Sequence, residues 1–109
     1  MKSLMLLSLF LFILSCGKVN CVEYTKILSK EECIIVVEIP PTSSVWFEVK
    51  GYDPATQISK ICKTNNRWWN LYWNEIEVGD TIVKKKGELT FNIHKKDSII
   101  THFWKCYED

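Results

Sequence analysis

Turn-forming residues punctuate this chain so often that, over most of its second half, no stretch between them can hold more than a short element. Cys33 to Ile39 (CIIVVEI) is a β-branched run of strand length, and Pro40-Pro41 ends it because proline has no N–H to give a ladder. Val45 to Lys50 alternates, with Val45, Phe47 and Val49 on one face and Trp46, Glu48 and Lys50 on the other, so it pairs back as a hairpin. GYDPA at Gly51 to Ala55 turns the chain into a third strand over Gln57 to Lys63. Val78-Gly79-Asp80, Lys86-Gly87 and Lys95-Lys96-Asp97 separate three more short segments, Thr81–Lys85, Glu88–His94 and Ser98–Tyr107, which read as a meander. Between the two groups lies Arg67 to Ile76 (RWWNLYWNEI), where Trp69, Tyr72, Trp73 and Ile76 recur at helical spacing behind Asn65 or Asn66 as N-cap. The pattern predicts a mainly β, small single domain over residues 31–109. We expect a bent antiparallel sheet or partly open barrel of about six short strands, with one short aromatic-rich helix. At 109 residues there is no room for a second core.

The first sixteen residues do not belong to that domain. Lys2 precedes an apolar run from Leu4 to Leu14 that is interrupted only by Ser8. As a helix the run would extend about 16 Å, short of the roughly 30 Å hydrocarbon core, so it reads as an export signal. Ile13-Leu14-Ser15-Cys16 resembles the lipobox of bacterial lipoproteins. The resemblance implies a signal peptide over residues 1–15, cleavage before Cys16, and acyl chains, palmitate among them, on that cysteine. Such chains anchor a protein durably without a span, so the membrane itself is the first expected partner. Gly17, rather than Asp, follows Cys16, which by the same resemblance implies the outer membrane, on its periplasmic face. Residues 16–30, mixed and polar, read as a lipid-anchored tether.

An acylated Cys16 leaves Cys21, Cys33, Cys62 and Cys106, an even number in an exported domain small enough to gain from disulfides. Three connectivities exist. Cys21–Cys33 as a local loop with Cys62–Cys106 tying a middle strand to the last is the expected one, with Cys21 and Cys33 left as thiols its competitor. A metal site combining cysteines with His94 and His102 is disfavoured, because the ligands are scattered singly with no C-x-x-C or H-x3–5-H spacing. No metal or other cofactor is expected.

Nor does the chain carry a catalytic signature. It has no G-x-S-x-G elbow, no H-E-x-x-H, no P-loop and no dinucleotide-binding glycine pattern, and it is read as no enzyme. Fourteen basic residues against thirteen acidic ones lack the concentrated positive charge that drives binding to a phosphate backbone, so no nucleic-acid partner is expected. Binding is the remaining class. Five tryptophans cannot all face inward, and consecutive Trp68 and Trp69 cannot share one side of a regular element, so this pair supplies a candidate exposed contact. Lys84, Lys85 and Lys86, with Lys95 and Lys96, gather at the meander turns as solvating residues or as a basic rim for an acidic partner. His94 and His102 fall on neighbouring strands, where they can face each other.

The stretch EIEVGDTIVKKKGELTFNIHKKDSI, Glu75 to Ile99, followed by Trp104 and Cys106, resembles a set of small uncharacterised lipoproteins of Bacteroidota. Gly79-Asp80-Thr81-Ile82 and Lys84 to Gly87 carry the likeness, which implies lipid anchoring and no established activity. The expected function is therefore a membrane-anchored, non-catalytic protein-binding module. An immunity-type protein that neutralises a toxin is a specific version of that reading. An envelope-glycan binder and a purely structural envelope lipoprotein are the alternatives.

Overall fold

Alternation of apolar and polar residues lays down six strands in the computed structural model, which describes residues 20–106. They are β1 (Cys33–Ile39), β2 (Phe47–Tyr52), β3 (Ser59–Thr64), β4 (Thr81–Lys84), β5 (Thr90–His94) and β6 (Ile99–Phe103). All pairings are antiparallel and the sheet runs β3-β2-β1-β4-β5-β6, so it is mainly β, bent and unclosed, with β3 and β6 as its edges. Every second residue points inward: Cys33, Ile35 and Val37, Phe47 and Val49, Cys62, Ile82, and Phe91 and Ile93 are all buried. Each large apolar side chain among them contributes about 1.5–3 kcal/mol by leaving water.

The bend has a local cause in Gly51. A Cβ built on it would overlap the Val36 carbonyl oxygen, so only glycine lets β2 lie this close to β1, beside the register shift between Val37 and Ile39. Coiled at this point, the sheet brings β1 near β3 although β2 lies between them. Lys60 of β3 donates to the Ile34 carbonyl of β1 at 3.0 Å, and Cys33 is bonded to Cys62 with Cα atoms 6.0 Å apart. The second disulfide joins Cys21 to Cys106. All four cysteines are paired, but the expected connectivity is corrected. Proximity here follows the coil of the sheet and the docking of the amino-terminal helix, neither of which tracks sequence separation.

That helix replaces the downstream part of the expected tether. Residues Asn20–Lys30 form α1, and Leu28 is fully buried in the core. Cys21, Tyr24 and Leu28 mark its packed side at i, i+3 and i+7. Thr25 Oγ1 donates to the Cys21 carbonyl and accepts from Trp104 Nε1 at 2.9 Å, which pins the helix to the chain just beyond β6. Cys16 lies outside the described residues, as does the whole of residues 1–15.

Since β3 is an edge and β4 is central, their connection must cross the inner face, and it carries the aromatic segment over the core. The expected helix is there, but as a 3₁₀ helix, Trp69–Glu75, interrupted at Tyr72. The Asn66 side chain accepts from the N–H groups of Trp68 and Trp69 at 2.9 and 3.1 Å, which fixes the turn leading into the helix. The N-cap position itself is Trp68, with no side-chain cap, rather than the expected Asn65 or Asn66, because Arg67 intervenes with a positive φ. With three residues per turn, Trp69, Tyr72 and Glu75 stack on one side and Trp73 turns outward, which an α-helical stripe would not allow.

Candidate functional site

The sequence-predicted contact residues separate once folded. Trp68 and Trp69 are each 2% exposed, so neither is a surface contact. The expectation failed because it assumed a regular element. Arg67 has a positive φ of 66° and reverses the chain just before the pair, and the two indoles then enter the core side by side. Trp68 packs on Phe91 and Trp104, while Trp69 packs on Phe47 and Phe91.

Lys84 likewise leaves the lysine rim. It is fully buried, and its ammonium donates to the carbonyls of Ser29, Glu31 and Lys85 at 3.3, 2.7 and 2.9 Å. Those acceptors include the last turn of α1, where a cation complements the free carbonyls of a helix end. Burial holds the ammonium below its ordinary pKa, with Glu31, Glu88 and Glu32 opposing that shift. Lys85 and Lys86 remain exposed at the turn. Lys84 is therefore a structural clamp, and the three neighbours do not form one charged surface.

In the Gly79-Asp80 motif the aspartate is also internal. Buried Asp80 accepts from the Glu77 N–H at 2.8 Å and from Lys95 Nζ at 2.6 Å, so it locks the turn entering β4. His94 and His102 do not meet: His94 pairs in register with Ile99, and His102 pairs with Phe91. His102 instead stacks on Tyr72 with ring centroids 3.6 Å apart, and its Nε2 lies 2.8 Å from Glu75 Oε1. Among the described residues no group of three His, Cys, Asp or Glu side chains is placed to hold a metal ion.

Two surfaces remain. The first is an open groove of about 620 Å³ between α1, the 3₁₀ helix and the end of β6, lined by Cys21, Tyr24, Trp68, Tyr72, Phe103 and Trp104. Its indole N–H groups are engaged within the wall, Trp68 with the Tyr72 hydroxyl at 3.3 Å and Trp104 with Thr25, so it presents ring faces. Burial and then Glu31 push the Tyr24 phenol upward in pKa, so it stays neutral. Leu71 and Phe103 stand at the rim, 66% and 68% exposed.

The second surface lies on the other face and at the other edge of the sheet. Lys50 of β2 sits in register between Ile39 of β1 and Ile61 of β3, and both isoleucines are largely exposed. Beside this row stands Trp46, 49% exposed, with the Lys63 ammonium 5.3 Å from its ring centroid and Glu48 paired to Lys63. A cleft of about 350 Å³ opens among Ile39, Pro40, Trp46, Lys50 and Lys63. Of the two exposed tryptophans, Trp46 and Trp73, Trp46 is the more open, and its signal was the parity it shares with Glu48 and Lys50. Ile39 and Ile61 carried no such signal, because only strand pairing brings them beside it.

Two disulfides belong to a non-reducing, exported environment. Among the described residues no helix is long and apolar enough to cross a membrane. No family model, curated protein or solved structure matches the chain.

Proposed function

We propose that this chain is a lipid-anchored, non-catalytic module of the bacterial envelope that binds a protein partner through the Trp46 face, with Cys16 as its anchor. The observation that supports the reading most is the exposed indole itself. A half-exposed tryptophan beside Ile39 and Ile61, with Lys50 and Lys63 around it, has the composition of an interface centre: an aromatic anchor, flanking aliphatic residues and charges able to pair at the rim. A small domain gains nothing in its own stability by leaving these side chains in water. Outer-membrane placement on the periplasmic side belongs to the same proposal and rests on Cys16 and Gly17.

The test is a pull-down from a periplasmic and secreted extract with the disulfide-bonded protein, run beside a Trp46→Ala variant and a Lys85→Glu, Lys86→Glu variant. Loss of an interface anchor costs about 2 kcal/mol or more, so a partner should bind roughly thirtyfold more weakly to the Trp46 variant and normally to the lysine variant. Equal retention by both variants would move the site elsewhere. Retention of envelope polysaccharide in place of protein would replace this reading with the glycan one, since an exposed indole also stacks on sugar rings.

A further inference from the structure

We propose that the aromatic groove is a membrane seat, by which the tethered end of the domain lies on the lipid bilayer at the level of the headgroups. The inference rests on the reading that the chain is anchored at its amino-terminal side. It adds where the bilayer is met and by which residues.

Chain connectivity brings the membrane to this groove. Cys21 forms part of the wall, and Cys16 precedes it by five residues. Five residues span at most about 18 Å even when fully extended. An anchor at Cys16 therefore holds the groove close to the bilayer surface at a high effective concentration, so that a weak interfacial affinity is enough to keep it seated. No such constraint acts on the Trp46 face, which belongs to the β3 side of the sheet, whereas the groove lies at the β6 edge.

The chemistry of the groove fits the same occupant. Tyrosine and tryptophan are the side chains that favour the membrane interface, where an apolar ring and a polar tip meet two environments. Here Tyr24, Tyr72, Trp68 and Trp104 line one concavity. Leu71 and Phe103 project from its rim with two thirds of their surface exposed, an arrangement that a water-facing surface penalises and an acyl boundary rewards. Exposed Lys105 borders the same groove, placed to meet lipid phosphate. Seated in this way, the domain keeps the opposite edge of its sheet, and with it Trp46, free for a partner.

The experiment uses the full chain, produced with its lipid and reconstituted into vesicles of phosphatidylethanolamine and phosphatidylglycerol, with part of the lipid brominated on the acyl chains near the headgroup. Bromine quenches tryptophan fluorescence on contact, and Trp104, half-buried in the groove wall, reports on the groove, with Trp68 buried behind it. We expect clear quenching in the parent. In a Leu71→Asp, Phe103→Asp variant it should fall by about half or more, although the variant still floats with the vesicles through its lipid. Both positions are exposed, so the variant should fold, and retained near-ultraviolet circular dichroism verifies that. A Trp46→Ala chain should keep its vesicle-dependent quenching. Flotation with no quenching of the parent, or equal quenching of parent and rim variant, would overturn the seat while leaving the anchor intact. Failure of the parent to float would remove the anchor reading, and the seat with it.

Discussion

Replacing Lys84 by methionine should destabilise the domain by about 2 kcal/mol, although a lysine in a Lys-Lys-Lys run looks like the most replaceable of residues. The ammonium is fully buried and donates to three backbone carbonyls, two from the end of α1 or just beyond it and one from Lys85. Hydrogen bonds from a charged group contribute about 1.5–3 kcal/mol each, so three supply roughly 4.5 kcal/mol at the low end. Desolvation of the ammonium offsets several kcal/mol of that gain. Methionine matches the length of the side chain and gives the carbonyls no donor, so the net loss is about 2 kcal/mol, or about 10 °C in Tm for a domain of this size. Lys85→Met, at an exposed neighbouring position, should stay within about 0.5 kcal/mol of the parent. Urea unfolding of the disulfide-bonded protein, followed by tryptophan fluorescence, measures both. The pH dependence supplies a further check. Burial lowers the folded pKa below 10.5, so between the two values the unfolded chain holds the proton more tightly and parental stability rises with pH. The gap between parent and Lys84→Met should therefore widen as pH approaches 10.5. A Lys84→Met protein as stable as Lys85→Met would refute the clamp and return all three lysines to the surface.

The loops and bridges give three further predictions. Removing the Cys33–Cys62 bridge by a double change to alanine opens a loop with a sequence separation of 29. Loop entropy then predicts a loss of about 3.5 kcal/mol. Proteolytic mapping of the parent should recover Cys33 joined to Cys62 and Cys21 joined to Cys106, and recovery of Cys21 joined to Cys33 would contradict the packing of α1 described above. Asp53 caps its turn by accepting from the N–H groups of Ala55 and Thr56 at 2.8 and 3.1 Å, and these bonds, Thr56 first, hold its pKa below the ordinary 3.8. Its contribution is complete above 3.8 and is lost as pH falls through the lower folded value. Asp53→Asn keeps the acceptor but does not titrate there, so its Tm should fall less steeply than that of the parent below that pH. Parallel curves for the two proteins would show that the carboxylate is not what the turn uses.

Strand alternation was legible because a half-buried sheet imposes a period of two on any sequence that forms it. Phe47 and Val49 against Trp46, Glu48 and Lys50 divided as the fold divides them, with Phe47 and Val49 in the core, whereas Val45, read as sharing their face, lies ahead of β2 and is 60% exposed. Leu89, Phe91 and Ile93 also divided as the fold divides them, the last two fully buried. Helix α1 was missed because only Cys21, Tyr24 and Leu28 mark its packed side, too few in an otherwise polar stretch to stand out as a periodicity. The site was less legible than the fold. The tryptophan pair was singled out as unusual, yet whether an unusual residue is core or contact depends on what covers it, and the reversal at Arg67 decided that.

By itself the amino-acid sequence determined the strand-by-strand layout, that the five tryptophans could not all be core, and four cysteines able to pair, because local spacing sets which side of a strand a residue faces. Tertiary structure alone decided the partners: which cysteine meets which, that Lys84 turns inward to the end of α1, and that Ile39, Lys50 and Ile61 stand in one row beside Trp46. The physical reason is that these are contacts between elements distant in sequence. They are set by how far the sheet coils where Gly51 lets β2 close on β1, and by where α1 docks across its inner face, and neither leaves a periodic trace along the chain.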